Sequence, residues 1–285
     1  MTLSGGLKHV PAQQLGARLT RLRGNLAGYL SLFQRKPRRM VTPAWRRPFH
    51  VGVVALVAVA AIAAVMITLD ASAVALAQHL PEWLIEDFDR LTDFGKSPWF
   101  LVPIATTLVA IAVTASPSLS HMSRGLLAAI TVRLGFLLLA IGLPGLFFTM
   151  AKRLIGRARP LVNGSVEPFA YRPFGWEVEY ASLPSGHAID AFAAAMAIGA
   201  LWPRTRPFMW TYAVIIALSR IVLTAHFLSD VVAGAVVAMI GVLLVRDWFA
   251  ARGLGFVLAE DGTVRPLPGP SVDRIKRVAR QLVAA

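Results

Sequence analysis

Cysteine is absent from the 285 residues, so no disulfide framework or thiolate metal site is available, and the redox compartment leaves no mark. Charge is scarce as well. Asp, Glu, Lys and Arg make up 15% of the chain, against roughly 25% in an average soluble domain. Hydrophobic residues reach 56%, which excludes an ordinary soluble composition and points to an integral membrane protein. Acidic residues are missing altogether from the first fifty positions, which hold ten Lys or Arg of a net charge of +14. Because this excess flanks the first apolar run, attraction to anionic lipid head groups accounts for it better than nucleic acid. Within the arm, Leu15, Leu19, Leu22, Leu26, Leu30 and Phe33 recur at helical spacing with Arg18, Arg21 and Arg23 between them. This predicts an amphipathic helix lying on the membrane surface. An organelle transit peptide shares the composition and ranks second. A cleaved secretory signal does not fit, since the first apolar run begins only near residue 51.

Six apolar segments follow: 51–69, about 98–117, about 125–150, about 187–202, about 207–224 and about 229–246. A helix needs about 20 residues to cross the hydrocarbon core. The expected fold is therefore all-α, a polytopic membrane protein with six transmembrane helices. It divides into a basic arm (1–49), a six-helix membrane domain (50–250) and a tail (251–285). The arm has ten basic residues, whereas 70–97 has six acidic and two basic. The arm is thus expected in the cytoplasm and 70–97 outside. Counting onward places 151–186 outside, PRTRP (203–207) inside and the turn near 225 outside. The tail, with seven basic and four acidic residues from Arg246 on, is expected in the cytoplasm. One cluster departs from the charge bias: KRLIGRARP (152–160) carries four basic residues on the outer side. In the tail, Pro266, Pro268 and Pro270 predict a loop before a short basic helix.

Parity gathers three polar groups on that outer side: Lys152 to Pro160, PSGH (184–187) and SRIVLTAHFLSD (219–230). PSGH opens a helix, where backbone N–H groups and the Ser185 hydroxyl cradle an anion; an ordinary helix cap is the competing reading. Lys152 and Arg159 supply positive charge, and an Arg fork matches phosphate oxygens. Snorkelling at a span's end competes, and it is the preferred reading for Arg153 and Arg157. Arg133, inside the third segment, is expected near the cytoplasmic end of a tilted span. His226 and Asp230 stand four apart and share a helix face. A carboxylate accepting from one ring nitrogen fixes the tautomer and leaves the other nitrogen free to attack. Arg220 lies within the fifth segment, where a charge costs about 2.5–3.5 kcal/mol on insertion scales. An ion pair between Arg220 and Asp230 is the alternative, and it leaves His226 idle. There is no HExxH, carboxylate-rich pair or Walker loop. Two histidines, one carboxylate, several cations and an anion cradle suit phosphoryl transfer without a metal or other cofactor.

At these residues the chain resembles the type 2 phosphatidic acid phosphatase family, which shares its site with vanadium haloperoxidases. The family pattern is K-x6-R-P, P-S-G-H and S-R-x5-H-x3-D. Here it stands as Lys152–Arg159–Pro160, Pro184–Ser185–Gly186–His187 and Ser219–Arg220–His226–Asp230, every fixed position matching in order. The resemblance covers roughly 98–246. It implies that His226 attacks phosphorus with Asp230 orienting it, and that His187 protonates the leaving oxygen. It further implies that Lys152, Arg159, Arg220, Ser185 and the Gly186 amide bind the phosphoryl oxygens. An outward-facing phosphate would also account for the 152–160 cluster. Asp190 reads either as raising the proton affinity of His187 or as a favourable acid near a helix N-terminus. Phe169, Tyr171, Phe174, Trp176 and Tyr180, in 161–183, read as the wall of a lipid entrance or as interfacial anchors. The expected activity is metal-independent hydrolysis of a lipid phosphate or diphosphate. Undecaprenyl diphosphate, lipid A phosphate and phosphatidylglycerol phosphate are the candidates, in a bacterial inner membrane with the site on the periplasmic face. A lipid phosphotransferase using the same site, or a non-enzymatic transporter or scaffold, are the alternatives.

Overall fold

The structure, a computed structural model, describes residues 12–38, 48–115 and 119–284. Lys8, Arg39, Arg46 and Arg47 of the basic arm lie outside the described residues, as do the side chains of Leu15, Arg18, Leu19 and Arg21. Helices run α1 Ala12–Phe33, α2 Pro48–Thr68, α3 Asp70–Ala77, α4 Glu82–Thr92, α5 Pro98–Thr114 and α6 His121–Ile155. They continue with α7 Gly186–Leu201, α8 Arg206–Val222, α9 Leu228–Ala251 and α10 Val272–Ala284. Each predicted apolar segment falls on one helix. By length and composition, four stretches are apolar enough to cross a membrane: His50–Thr68, Glu82–Thr114, His121–Ile155 and Leu228–Ala251. α7 and α8 are shorter, at 16 and 17 residues.

α7 is the central helix, and its composition explains why. Ala188, Ala191, Ala193, Ala194, Ala195 and Ala197 are all fully buried, and side chains this small let neighbouring backbones come close. Phe136, Leu137, Ala140 and Ile141 of α6, Ala213 and Ile216 of α8, and Ala238 and Val242 of α9 complete this core. Gly234 marks a close approach, since a Cβ there would lie 2.8 Å from the Ser185 carbonyl oxygen. α9 is thereby seated against the start of α7. α2, in contrast, is apolar all round and buries nothing within its apolar window, as a helix facing lipid does.

The two ends of the bundle differ. At one end α1 docks: the Asn25 amide donates to the carbonyls of Ala112, in the last turn of α5, and of Ala115 just beyond it, both at 2.8 Å. Phe33 packs edge-on to Phe249 at 5.7 Å, in the space that Gly135 leaves open. Leu26 and Leu30, on the predicted apolar face, remain exposed. The tail returns to this same end. It contains an antiparallel hairpin, β1 Phe256–Leu258 with β2 Val264–Pro266, which the all-α expectation did not include. Phe256 inserts beside Phe136 at 4.8 Å, and Arg133 donates to the carbonyls of Leu267 and Pro268 at 3.0 and 2.9 Å. At the opposite end, α6 and α8 finish, α7 and α9 begin, and α3 and α4 pack over α8.

Candidate active site

All three polar groups meet at that opposite end. α6 stops because Gly156 takes the left-handed conformation at φ 66°, its N–H returning to the Lys152 carbonyl at 3.0 Å. A Cβ at Gly156 would lie 1.9 Å from the Arg172 carbonyl oxygen, so only glycine fits. The reversal leaves Lys152 on the last turn of α6, its ammonium 4.0 Å from where a Gly186 Cβ would stand. Arg157 and Arg159 follow in extended chain. Ser185 precedes α7 and donates its backbone N–H to the Asp230 carbonyl at 3.0 Å, which ties the PSGH turn to α9. At the end of α8 a tight turn passes through Thr224 at φ 47°, a strained value for a β-branched residue. The turn folds the N–H of His226 back onto the Arg220 carbonyl at 3.2 Å.

His226 is almost fully buried and Asp230 wholly so. Their closest approach, Nδ1 to Oδ2, is 3.7 Å, too long for a hydrogen bond. Ser182 stands between them: its Oγ lies 2.6 Å from Asp230 Oδ2 and 3.3 Å from His226 Nδ1. A carboxylate only accepts, so the single hydroxyl proton goes to Asp230 and Ser182 can only accept from Nδ1. The imidazole is thereby held with its proton on Nδ1 and its Nε2 unprotonated. Burial pushes His226 below the ordinary imidazole value, and Arg159 and Arg220 add to this against the pull of Asp230.

The cation paired with Asp230 is Arg157. Arg157 is fully buried, which corrects the reading of this residue as a snorkelling side chain. Its Nη1 donates to Asp230 Oδ1 at 2.5 Å and to Ser229 Oγ at 2.7 Å, and its Nη2 donates to Asp70 Oδ2 at 2.7 Å. The guanidinium also stacks on Phe227 at 4.4 Å. Burial opposes its charge, but the two carboxylates overcome this and raise its proton affinity. Arg153, by comparison, reaches only the Trp176 carbonyl near the surface. Arg220 turns the other way, donating from Nη1 to Thr92 Oγ1 at 2.7 Å, so it is no partner of Asp230. Asp190 accepts from the Ser97 N–H at 3.2 Å. Among the described residues no hydrogen bond or ion pair joins it to His187, whose ring instead packs near Gly95.

Four buried polar atoms here have no hydrogen-bond partner among the described residues: Arg159 Nε, Ser185 Oγ, His187 Nε2 and Arg220 Nε. They come from all three sequence groups. Such atoms are costly to bury alone, and two guanidinium donors with a hydroxyl suit the oxygens of a phosphoryl group. Burial lowers the proton affinity of Arg159, as expected for a cation without an anionic partner in contact. Of the aromatic residues in 161–183, Phe169, Tyr171, Phe174 and Trp176 are exposed.

Comparison with known proteins places the chain in a family. The PAP2 superfamily pattern matches residues 133–254. A lipid A 1-phosphatase of Rhizobium johnstonii is 34% identical over 178 residues, 61% of this chain and 71% of that protein. A second, from Rhizobium etli, is 33% identical over 190 residues, 65% of this chain and 80% of that protein. The chain belongs to the PAP2 superfamily. Its structure also aligns with a transmembrane PAP2 type phosphatidylglycerolphosphate phosphatase from Bacillus subtilis, at a TM-score of 0.41 and 18% identity, over 80% of this chain and 95% of that one. As a PAP2 protein it carries functional candidates that sequence reasoning missed: Arg157, Asp70, Ser182 and Thr92. Only Arg157 and Ser182 lie beside the motif residues in the chain.

Proposed function

We propose that this membrane PAP2 protein removes phosphate from lipid A through a phosphohistidine formed on His226. What carries the reading is the convergence of Arg159, Ser185, His187 and Arg220, each with an unpartnered buried atom, around a histidine whose Nε2 is left unprotonated. The two lipid A 1-phosphatases support lipid A, and its 1-phosphate, as the substrate. Nε2 of His226 gives its lone pair to phosphorus, and the bond from phosphorus to the lipid oxygen breaks. That oxygen takes a proton from His187. A water then adds to phosphorus, giving a proton back to His187, and the N–P bond breaks to release inorganic phosphate. Lys152, Arg159, Arg220, the Ser185 hydroxyl and the Gly186 amide hold the phosphoryl oxygens, whose charge rises in the transition state. Asp230 keeps the His226 ring in its reactive orientation.

All six apolar helices cross the bilayer in this reading, the short α7 packed within protein and the short α8 turning an apolar face outward. The site faces the periplasm of an inner membrane, and α1 and the tail face the cytoplasm beside anionic lipid. The acidic stretch 70–97 at the site end and the basic arm at the other support that orientation. The absence of cysteine makes it testable, because single cysteines placed at Ser165 and Arg204 report opposite sides to an impermeant thiol reagent. The chemistry is tested by phosphate release from lipid A, undecaprenyl diphosphate and phosphatidylglycerol phosphate in detergent, with and without EDTA. Lipid A is expected to be turned over by the wild type and not by His226→Gln. Robust turnover by His226→Gln, or transfer of the phosphate to a lipid acceptor rather than water, would overturn the proposal.

A further inference from the structure

The fully buried charges behind the site exceed what orienting one histidine requires. Asp70, Arg157, Ser229 and Asp230 are each 0% exposed. Asp70 opens α3, 160 positions before Asp230 and outside the residues matched by the PAP2 pattern, 133–254. Its Oδ1 accepts the Ser229 backbone N–H at 2.8 Å, and its Oδ2 accepts the Ser229 hydroxyl at 2.5 Å and Arg157 Nη2 at 2.7 Å. Asp70 therefore caps α9 from another helix, one residue from Asp230. Arg157 spends its remaining donors on the Pro168 carbonyl, from Nε at 3.0 Å and Nη2 at 2.9 Å.

Buried ion triads are poor devices for stability, because the desolvation of three charges rivals their attraction and apolar side chains of equal volume serve as well or better. The charge count suggests what this one is for. Two carboxylates share one guanidinium, leaving one net negative charge beside an imidazole that turns positive when Nε2 bonds phosphorus and Nδ1 keeps its proton. Without Asp70, Arg157 would neutralise Asp230 and the net charge would be zero.

We infer that Asp70 and Arg157 are positioning residues for the phosphoryl-transfer step: Arg157 fixes the Asp230 carboxylate, and Asp70 balances Arg157 so that Asp230 keeps its negative charge for the phosphohistidine cation. The elbow between α2 and α3 is thus part of the catalytic apparatus. This rests on the proposed role of His226.

Purified full-length wild type, Asp70→Asn, Asp230→Asn and the double variant are compared for kcat and KM on lipid A in detergent. Asp70→Asn keeps the shape and loses the charge. The expected result is a kcat lower by about 10- to 100-fold with KM within threefold, and a double variant no slower than Asp230→Asn beyond threefold, since Asp70 acts through Asp230. A kcat for Asp70→Asn within threefold of wild type, or losses that multiply in the double variant, would overturn it. A second measurement is independent of turnover, so inactivity of the wild type on every lipid would count against the proposed function alone. In 15N-histidine spectra, with His226→Gln assigning the signal, the titration midpoint of His226 is expected to fall in Asp70→Asn. The groups facing that ring are Asp230 from α9, Arg159 and Ser182 from the loops, Arg220 from α8 and His187 from α7. All of them are retained in the variant. An unchanged midpoint sinks the inference.

Discussion

Ser182→Ala tests the reading of the active site at a single atom. The hydroxyl links Asp230 Oδ2 at 2.6 Å to His226 Nδ1 at 3.3 Å. Removing it does not orphan the carboxylate, because Oδ2 still accepts the Phe227 N–H at 2.9 Å and Oδ1 still accepts Arg157 at 2.5 Å. The fold should therefore survive, and the loss should fall on the imidazole. Two outcomes are open to the ring. If it stays in place, Nδ1 loses its acceptor and the tautomer is no longer held. A hydrogen bond to an ionic partner contributes about 1.5–3 kcal/mol, which at about 1.4 kcal/mol per decade is roughly 10- to 150-fold in rate. If instead the ring closes the 3.7 Å gap to Asp230, it must move by about 0.8 Å to reach a normal hydrogen-bond length. A displacement near 1 Å at the reacting atom can itself cost on the order of 100-fold. Both routes lead to a kcat lower by about 10- to 100-fold, with KM little changed because Ser182 lies behind the ring. Initial rates of phosphate release across a lipid A concentration series separate the two constants. A kcat within threefold of wild type would refute the Ser182 link.

Gly156→Ala should be among the most damaging single changes, since its Cβ would sit 1.9 Å from the Arg172 carbonyl at a left-handed φ. The expected outcome is loss of folded protein in size-exclusion chromatography, and a well-behaved, active variant would contradict the account of the α6 terminus. Protonation of His226 is opposed by burial, so its folded-state proton affinity lies below that of the unfolded chain, about 6.5. Stability from this group is then complete above about pH 6.5 and is lost as pH falls toward the depressed folded-state value; thermal melts that do not weaken below pH 6.5 in wild type relative to His226→Gln would contradict this. For the same reason the acidic limb of kcat/KM should lie below pH 6.5. Arg133→Met removes two bonds from the tail, to Leu267 and Pro268, and should quicken limited proteolysis there by about 5- to 150-fold, at about 1–3 kcal/mol for the lost bonds. Unchanged cleavage would show that Arg133 does not hold the tail.

Much of the site was legible because its information is local. Spacing within KRLIGRARP, PSGH and SRIVLTAHFLSD follows the chain, and the parity of apolar segments brings the three to one end without knowledge of any contact. What stayed hidden was partnership. Arg153 and Arg157 have the same neighbours in composition, yet the left-handed turn at Gly156 sends one to the surface and the other into the protein. Asp70 is one of six acids in 70–97, and only its burial against Ser229 and Arg157 distinguishes it.

By itself, then, the sequence determined that this chain lives in a membrane as a bundle of helices, and it singled out the histidines, cations and carboxylate that the fold gathers at one end of that bundle. Hydropathy and motif spacing are one-dimensional properties, and those conclusions need nothing more. Tertiary structure alone decided that Asp230 pairs with Arg157 rather than Arg220, that Ser182 stands between it and His226, and that α1 and the tail close the far end of the bundle. Each of these depends on which groups must satisfy one another once water is excluded, and that follows from where distant segments meet.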